Sequence, residues 1–194
     1  MLFRSRRALM AQPEWKTDNT NVLGGVIGVP GGLNPLINVP LFGVGQGTSE
    51  NERIGSRVRL RSFQWKASIR KSPATARPYQ EVRFIIVVYT EAQSVYALQD
   101  VLEDTANAAE ALISTYAQFN TGFRILVDRR VKLQTSLSEV ASPSIFRRMN
   151  MVQRYDGVAP ADFLSNVVRL FVFSDDDINP PVIDFTTVVR YQDN

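Results

Sequence analysis

Apolar and polar positions alternate with period two along much of the chain. In Val58-Arg59-Leu60-Arg61-Ser62 the even positions are apolar and Arg57, Arg59 and Arg61 lie opposite. From Phe63 the apolar set becomes odd: Phe63, Trp65, Ala67 and Ile69. A one-residue slip of phase at Ser62/Phe63 predicts a β-bulge or a bend between two sheets, because otherwise every later side chain would change face. Val82 to Tyr89 is apolar on both faces apart from Arg83, the pattern of a central strand covered on both sides. Phe123 to Val127, continuing through Val131 and Leu133, keeps its odd face apolar. Phe146–Tyr155, Val167–Phe173 and Ile183–Tyr191 are further strands, the last with Phe185, Val189 and Tyr191 on one face.

Two stretches break the alternation. Between Asn21 and Gly47 lie 8 of the 11 glycines, with Pro30, Pro35 and Pro40, so an early strand with long surface excursions is expected there. Leu36-Ile37-Asn38-Val39 fits an edge strand, where a neighbouring proline is tolerated. In residues 95–117, Val95, Leu98, Leu102, Ala106, Ala109, Leu112, Ile113 and Tyr116 recur at helical spacing. Asp100, Glu103 and Asp104 come early in that run, where a helix dipole favours anions. This predicts one helical insertion, in one or two pieces, between strands. Seven or eight strands, one helical insert and Gly/Pro-rich turns give an all-β chain, a single β-sandwich or barrel of the jelly-roll kind.

The 194 residues suit one domain, expected at 13–194, preceded by a short basic arm at 1–12. The chain has no cysteine and no histidine, which excludes disulfides, thiolate zinc sites, Ser–His or Cys–His nucleophiles and imidazole acid–base chemistry. Carboxylates remain, but nothing in the pattern singles out Asp128, Glu139 or Asp184, and neither an enzyme nor a cofactor is expected. The longest apolar run, Phe84 to Val88, is too short for a bilayer, and the first residues lack the apolar stretch of a signal peptide, so no membrane partner is expected.

Charge is unevenly placed. Residues 1–71 carry 11 Lys/Arg against Glu14, Asp18, Glu50 and Glu52, whereas residues 72–194 carry 11 against 15 acids. Of the 22 basic residues 18 are Arg, whose planar fork of donors matches phosphate or carboxylate. Arg4, Arg6 and Arg7, with Lys16 beyond them, are the candidate contacts for nucleic-acid phosphates, read without base specificity. Arg57, Arg59 and Arg61 with Trp65 form a basic stripe beside an aromatic, which suits either a single-strand-binding groove or a subunit interface. Gly43-Val44-Gly45-Gln46-Gly47 lacks the Lys-Ser/Thr of a phosphate-cradling loop and reads as an ordinary loop. Asp175, Asp176 and Asp177 fit a solvated turn that blocks edge pairing. As a calcium site they would need neighbouring carbonyls or a partner subunit to complete the shell.

The stretch Asn51-Glu52-Arg53-Ile54-Gly55-Ser56-Arg57-Val58-Arg59-Leu60-Arg61-Ser62 resembles the start of an early jelly-roll strand in capsid proteins of small circular single-stranded DNA viruses. A similar stretch occurs in satellite tobacco necrosis virus coat proteins. The later segments are also similar in order: Val82 to Tyr89, then Val101-Leu102-Glu103-Asp104-Thr105-Ala106, then Phe123 to Val131, of the form F-x-I-L-x-D. The resemblance covers about residues 46–137 and extends to the rest only as strand order. It implies a coat protein that self-assembles as a homo-oligomer of 60 copies, a T=1 icosahedral shell. In the virion that shell would package single-stranded nucleic acid, DNA rather than RNA, with the N-terminal arm facing the lumen. Phe42, Tyr96, Tyr116 and Phe119 are then the interface candidates. The arm is short for such a role. Sixty copies at +3 bring about 180 positive charges against one negative charge per nucleotide, so other cations must share the neutralisation. The alternative is a non-viral β-sandwich module binding carbohydrate or single-stranded nucleic acid.

Overall fold

The computed structural model describes residues 15–30, 36–49, 52–93, 96–117, 122–135 and 139–193. Ten strands run in chain order: β1 (Lys16–Val26), β2 (Ile37–Pro40), β3 (Arg57–Arg70), β4 (Tyr79–Tyr89), β5 (Phe123–Gln134), β6 (Val140–Ala141), β7 (Ser144–Tyr155), β8 (Phe163–Ser165), β9 (Val167–Ser174) and β10 (Val182–Asp193). A 3-10 turn at Leu98–Asp100 and one short helix, α1 (Ala108–Ile113), lie between β4 and β5. The helical insertion is therefore two pieces, and Ile113, expected on its apolar face, is exposed.

Sheet A has the order β1-β10-β3-β7-β8 with β6 against β3, and sheet B the order β2-β9-β4-β5; every pairing is antiparallel. Among the eight longer elements only the β4–β5 pair stays in one sheet. All other connections between them cross to the opposite sheet, and β10 returns to lie between β1 and β3. That order makes the chain a single jelly-roll β-sandwich. β2 is the edge strand foreseen beside Pro40, pairing with β9 alone.

The phase slip in β3 is a bulge. Arg190 pairs with Ser62 and Tyr191 with Leu60, so Arg61 is the extra residue, and the β7 register shifts at the same place. Val58, Leu60, Phe63, Trp65 and Ile69 all reach the core as a result. The main core lies between the sheets, where Trp65 meets Phe84 at 4.8 Å between ring centroids. A second core lies on the far side of sheet B, where Ile85, Val87, Tyr89, Phe171 and Phe173 pack under Leu98, Val101, Leu102 and Leu112 of the insertion. β4 is thus buried on both faces, as its sequence predicts.

The start of β1 was not legible. Its inward positions Lys16, Asp18 and Thr20 are polar, so no apolar alternation marks it. β6 and β8 are too short to leave a pattern.

Candidate functional site

Of the residues foreseen for nucleic-acid contact, Arg4, Arg6 and Arg7 lie outside the described residues, as does Phe119. Lys16 is corrected by the structure. It pairs with Tyr191 on the inward face of sheet A, and its ammonium is buried against Asp193 at 2.8 Å and donates to the Glu52 carbonyl at 2.7 Å. Its charge is spent inside the fold. Phe42 is likewise corrected from surface to core, 1% exposed and edge-on to Tyr191.

The other two interface candidates lie on the insertion. Tyr96 is half-buried, with the Arg169 guanidinium 4.5 Å from its ring centre. Tyr116 is exposed at its edge and donates to Asp128 Oδ2 at 2.7 Å. Beneath it Arg83 is buried. It forks onto Asp128 at 3.0 and 2.7 Å and donates to the carbonyls of Ala111, Leu112 and Ser114, the carbonyl end of α1. A cation there offsets the helix dipole and satisfies oxygens that the short helix leaves free. Burial alone would raise the Asp128 carboxyl, but the hydrogen bonds from Arg83 and Tyr116 outweigh it and hold it below the usual carboxylate value. Burial and the same carboxylate push the Tyr116 phenol up to about 12. Asp128 is thereby a structural anion, and Asp184 is held by Arg70 at 2.8 Å.

The acidic turn is also spoken for. Asp176 accepts from Ile178 and Asn179 backbone N–H groups through one oxygen and from Thr75 and Gln80 through the other. Asp175 accepts from Glu81 N–H, with Arg77 3.6 Å away. No group of three metal-ligating side chains converges among the described residues. The 43–47 loop turns inward as well. A Cβ at Gly43 would stand 2.7 Å from the Pro160 carbonyl, and the Val44 carbonyl accepts from buried Arg53. Arg53 also donates to Gly55 and Gly157 and lies 4.1 Å from the Tyr155 ring centre. The Arg53-Ile54-Gly55 step that leads into β3 is therefore a clamp that folds the β2–β3 loop on itself and ties it to the β7–β8 loop.

Among the described residues, a cluster of cations lies on the outer face of sheet A. Alternation with buried Val58 and Leu60 turns Arg57, Arg59 and Arg61 outward, and after the bulge Lys66 and Arg70 come next. β10 adds Arg190, and β7 adds Arg148 and Arg154. Arg57 and Arg154 stand directly opposite in register, a like-charge pairing that costs stability unless an anion sits over it. Asp184 is the carboxylate on this face among the described residues, and it is taken by Arg70. Sequence reasoning reached the β3 stripe but not Arg148, Arg154 and Arg190, which only the strand order brings beside it. Phe146, 57% exposed, supplies an aromatic on the same face.

The insertion over the outer face of sheet B has the reverse charge, although Arg130 and Lys132 of β5 stand on that face as well. Residues 84–123 contain Glu91, Asp100, Glu103, Asp104 and Glu110 and no Lys or Arg, and within them the insertion roofs sheet B.

No known family description matches the chain, and no curated protein sequence does. Among solved structures it is similar to a Desmodium yellow mottle tymovirus chain, with 9% identity and a TM-score of 0.44 over 94% of this chain and 89% of that one. It is also similar to the BFDV capsid protein of a 60-mer, at 8% identity and a TM-score of 0.31 over 94% and 93%. A chain of the Israel acute paralysis virus pentamer is similar at 14% identity and a TM-score of 0.26, over 94% and 89%.

Proposed function

We propose that the chain is a viral coat protein, a structural subunit whose copies close into a small icosahedral shell and package single-stranded nucleic acid. The observation that carries this reading is the bare, unneutralised basic face of sheet A. Arg57, Arg61, Arg148, Arg154 and Arg190 share one surface with exposed Phe146, which suits phosphates and bases taken without sequence preference. The acidic roof on sheet B repels the same polyanion, so each subunit has an inside and an outside set by charge. The jelly-roll strand order and the motif around Arg53 agree with this role. The reading takes a T=1 shell of sixty copies, DNA as the cargo, and the arm at Arg4, Arg6 and Arg7 adding phosphate contacts from the lumen.

Light-scattering mass after size exclusion, with absorbance at 260 and 280 nm on the same peak, tests it. A closed shell of sixty subunits has a mass of about 1.3 MDa. R57A/R154A/R190A and, separately, R4A/R6A/R7A should keep that protein mass while the total mass falls towards it and the 260/280 ratio drops. A mass of one or two subunits across salt and pH would replace the shell with a monomeric binding module. Unchanged nucleic-acid content in both variants would remove the packaging role.

A further inference from the structure

The two sheets part along one side of the sandwich, where β5 ends sheet B and β7 borders sheet A. β5 pairs with β4 alone, and β7 meets β8 only at Arg154 and Tyr155, so both strands leave most of that edge open. A cleft of about 450 Å3 opens between them. Arg124, Arg147 and Arg148 line it together with Leu126, Met149 and Met151.

A charge on an edge strand is ordinary, because it blocks pairing with another chain. Three guanidinium groups around one cleft are not explained that way. They repel one another, and among the described residues no carboxylate lies within ion-pair distance of any of them. The Arg124 guanidinium instead reaches across to the Met151 sulfur, 4.0 Å away, a weak acceptor. Arg147 and Arg148 are exposed, while Leu126 and Met149 are half-buried and Met151 is buried. The cleft therefore joins three unpaired cations to a soft, polarizable apolar lining, and its volume falls in the range of small-ligand sites.

We propose that this cleft is a nucleotide slot, taking one unit of a single strand with its phosphodiester on Arg124, Arg147 and Arg148 and its base against Leu126 and Met149. The inference rests on the packaging role and names a site for it. Continuity with the basic face supports the assignment. Asn150, also on the cleft, accepts from Arg61 Nη1 at 3.4 Å, and Arg148 lies in register with Ser62 of β3. A strand crossing sheet A past Arg61 arrives at the cleft without leaving cationic surface.

The test uses the full chain and two labelled single strands of eight phosphates, one of thymidines and one abasic, titrated by fluorescence anisotropy at several salt concentrations. Thymidine should bind about fivefold or more tighter than the abasic strand. R124A/R147A should weaken both and shrink the slope of log affinity against log salt by about 0.7 for each cation removed. M149A should narrow the preference for thymidine over the abasic strand while leaving the slope unchanged. Equal affinity of the wild-type chain for the two strands overturns the slot, whatever the variants do. Wild-type shells that package normally, with thymidine affinity and slope unchanged in R124A/R147A, also overturn it and leave the packaging reading standing. Lost assembly in R124A/R147A with unchanged thymidine binding assigns the cleft to the acidic insertion of a second copy instead. A wild-type chain that binds neither strand removes both readings.

Discussion

The two sheets use the same residue in opposite ways. On sheet B, Arg83 is buried beneath the insertion, forked onto Asp128 and tied to three carbonyls, and Arg169 donates to Asn38 at 2.9 and 3.1 Å while facing Tyr96. On sheet A, Arg57 and Arg154 face each other across the ladder with no carboxylate between them. Cations under a roof hold the fold together; cations on a bare face are held by it. The residue directly opposite does not separate the two, since Arg83 also stands opposite an arginine, Arg130. What does is Asp128, two positions along β5 and within reach of the Arg83 fork, where Arg57 has no such carboxylate among the described residues.

The sharpest break of that contrast is R83L, which strands Asp128 and three helix-end carbonyls. It should cost about 3 kcal/mol in urea unfolding, and R83M/D128L should recover much of the loss. D176A, which removes an acceptor of four hydrogen bonds, should cost about 2 kcal/mol. The folded-state carboxyl values of Asp128 and Asp176 both lie below their ordinary ones. For Asp176, as for Asp128, burial opposes the lowering, and hydrogen bonds from Asn179, Gln80 and Thr75 outweigh it. Their contribution is therefore complete above the unfolded carboxylate value, about 4, and is lost as pH falls through the folded values. An acid titration of stability should show a shallower decline in D176N than in the wild type. Y116F should cost about 1 kcal/mol or less. Because the folded phenol is raised to about 12, its share persists below pH 10 and is lost as pH rises towards 12. Burial raises Tyr89, Tyr155 and Tyr191 further, so ultraviolet titration should show a late group of tyrosines whose earliest member Y116F removes. R57A/R154A should change stability least, within about 0.5 kcal/mol and in the stabilising direction, while lowering nucleic-acid binding. A large destabilisation there would erase the distinction between the two sheets.

The parts of this organisation that sequence made legible are those where one face of a strand meets an apolar core. The alternation in β3 located its bulge to within a residue, and the two-faced apolar run of β4 foretold both the inter-sheet core and the roof. Arg83 stood out as the lone polar position in that run, although its partners, Asp128 and the end of α1, come from later in the chain. The basic face was legible only in β3. Arg154 and Arg190 are single charges in strands remote in sequence, and no spacing rule places them beside Arg57. Lys16 and Phe42 misled for the converse reason. A lysine near a basic terminus and an aromatic in a glycine-rich segment look exposed until Asp193 and Tyr191, at the other end of the chain, close over them.

Arg53 has a consequence for how the molecule opens. Its side chain holds the carbonyls of Val44, Gly55 and Gly157, and backbone bonds between Gln46 and Val158 and between Gly47 and Arg53 complete the same knot. Loops that elsewhere would fluctuate separately are thereby made one cooperative unit. Amide protons of Gln46, Gly47 and Arg53 should exchange through a single shared opening, with one free energy and one denaturant dependence, and R53M should split that event into independent, faster ones.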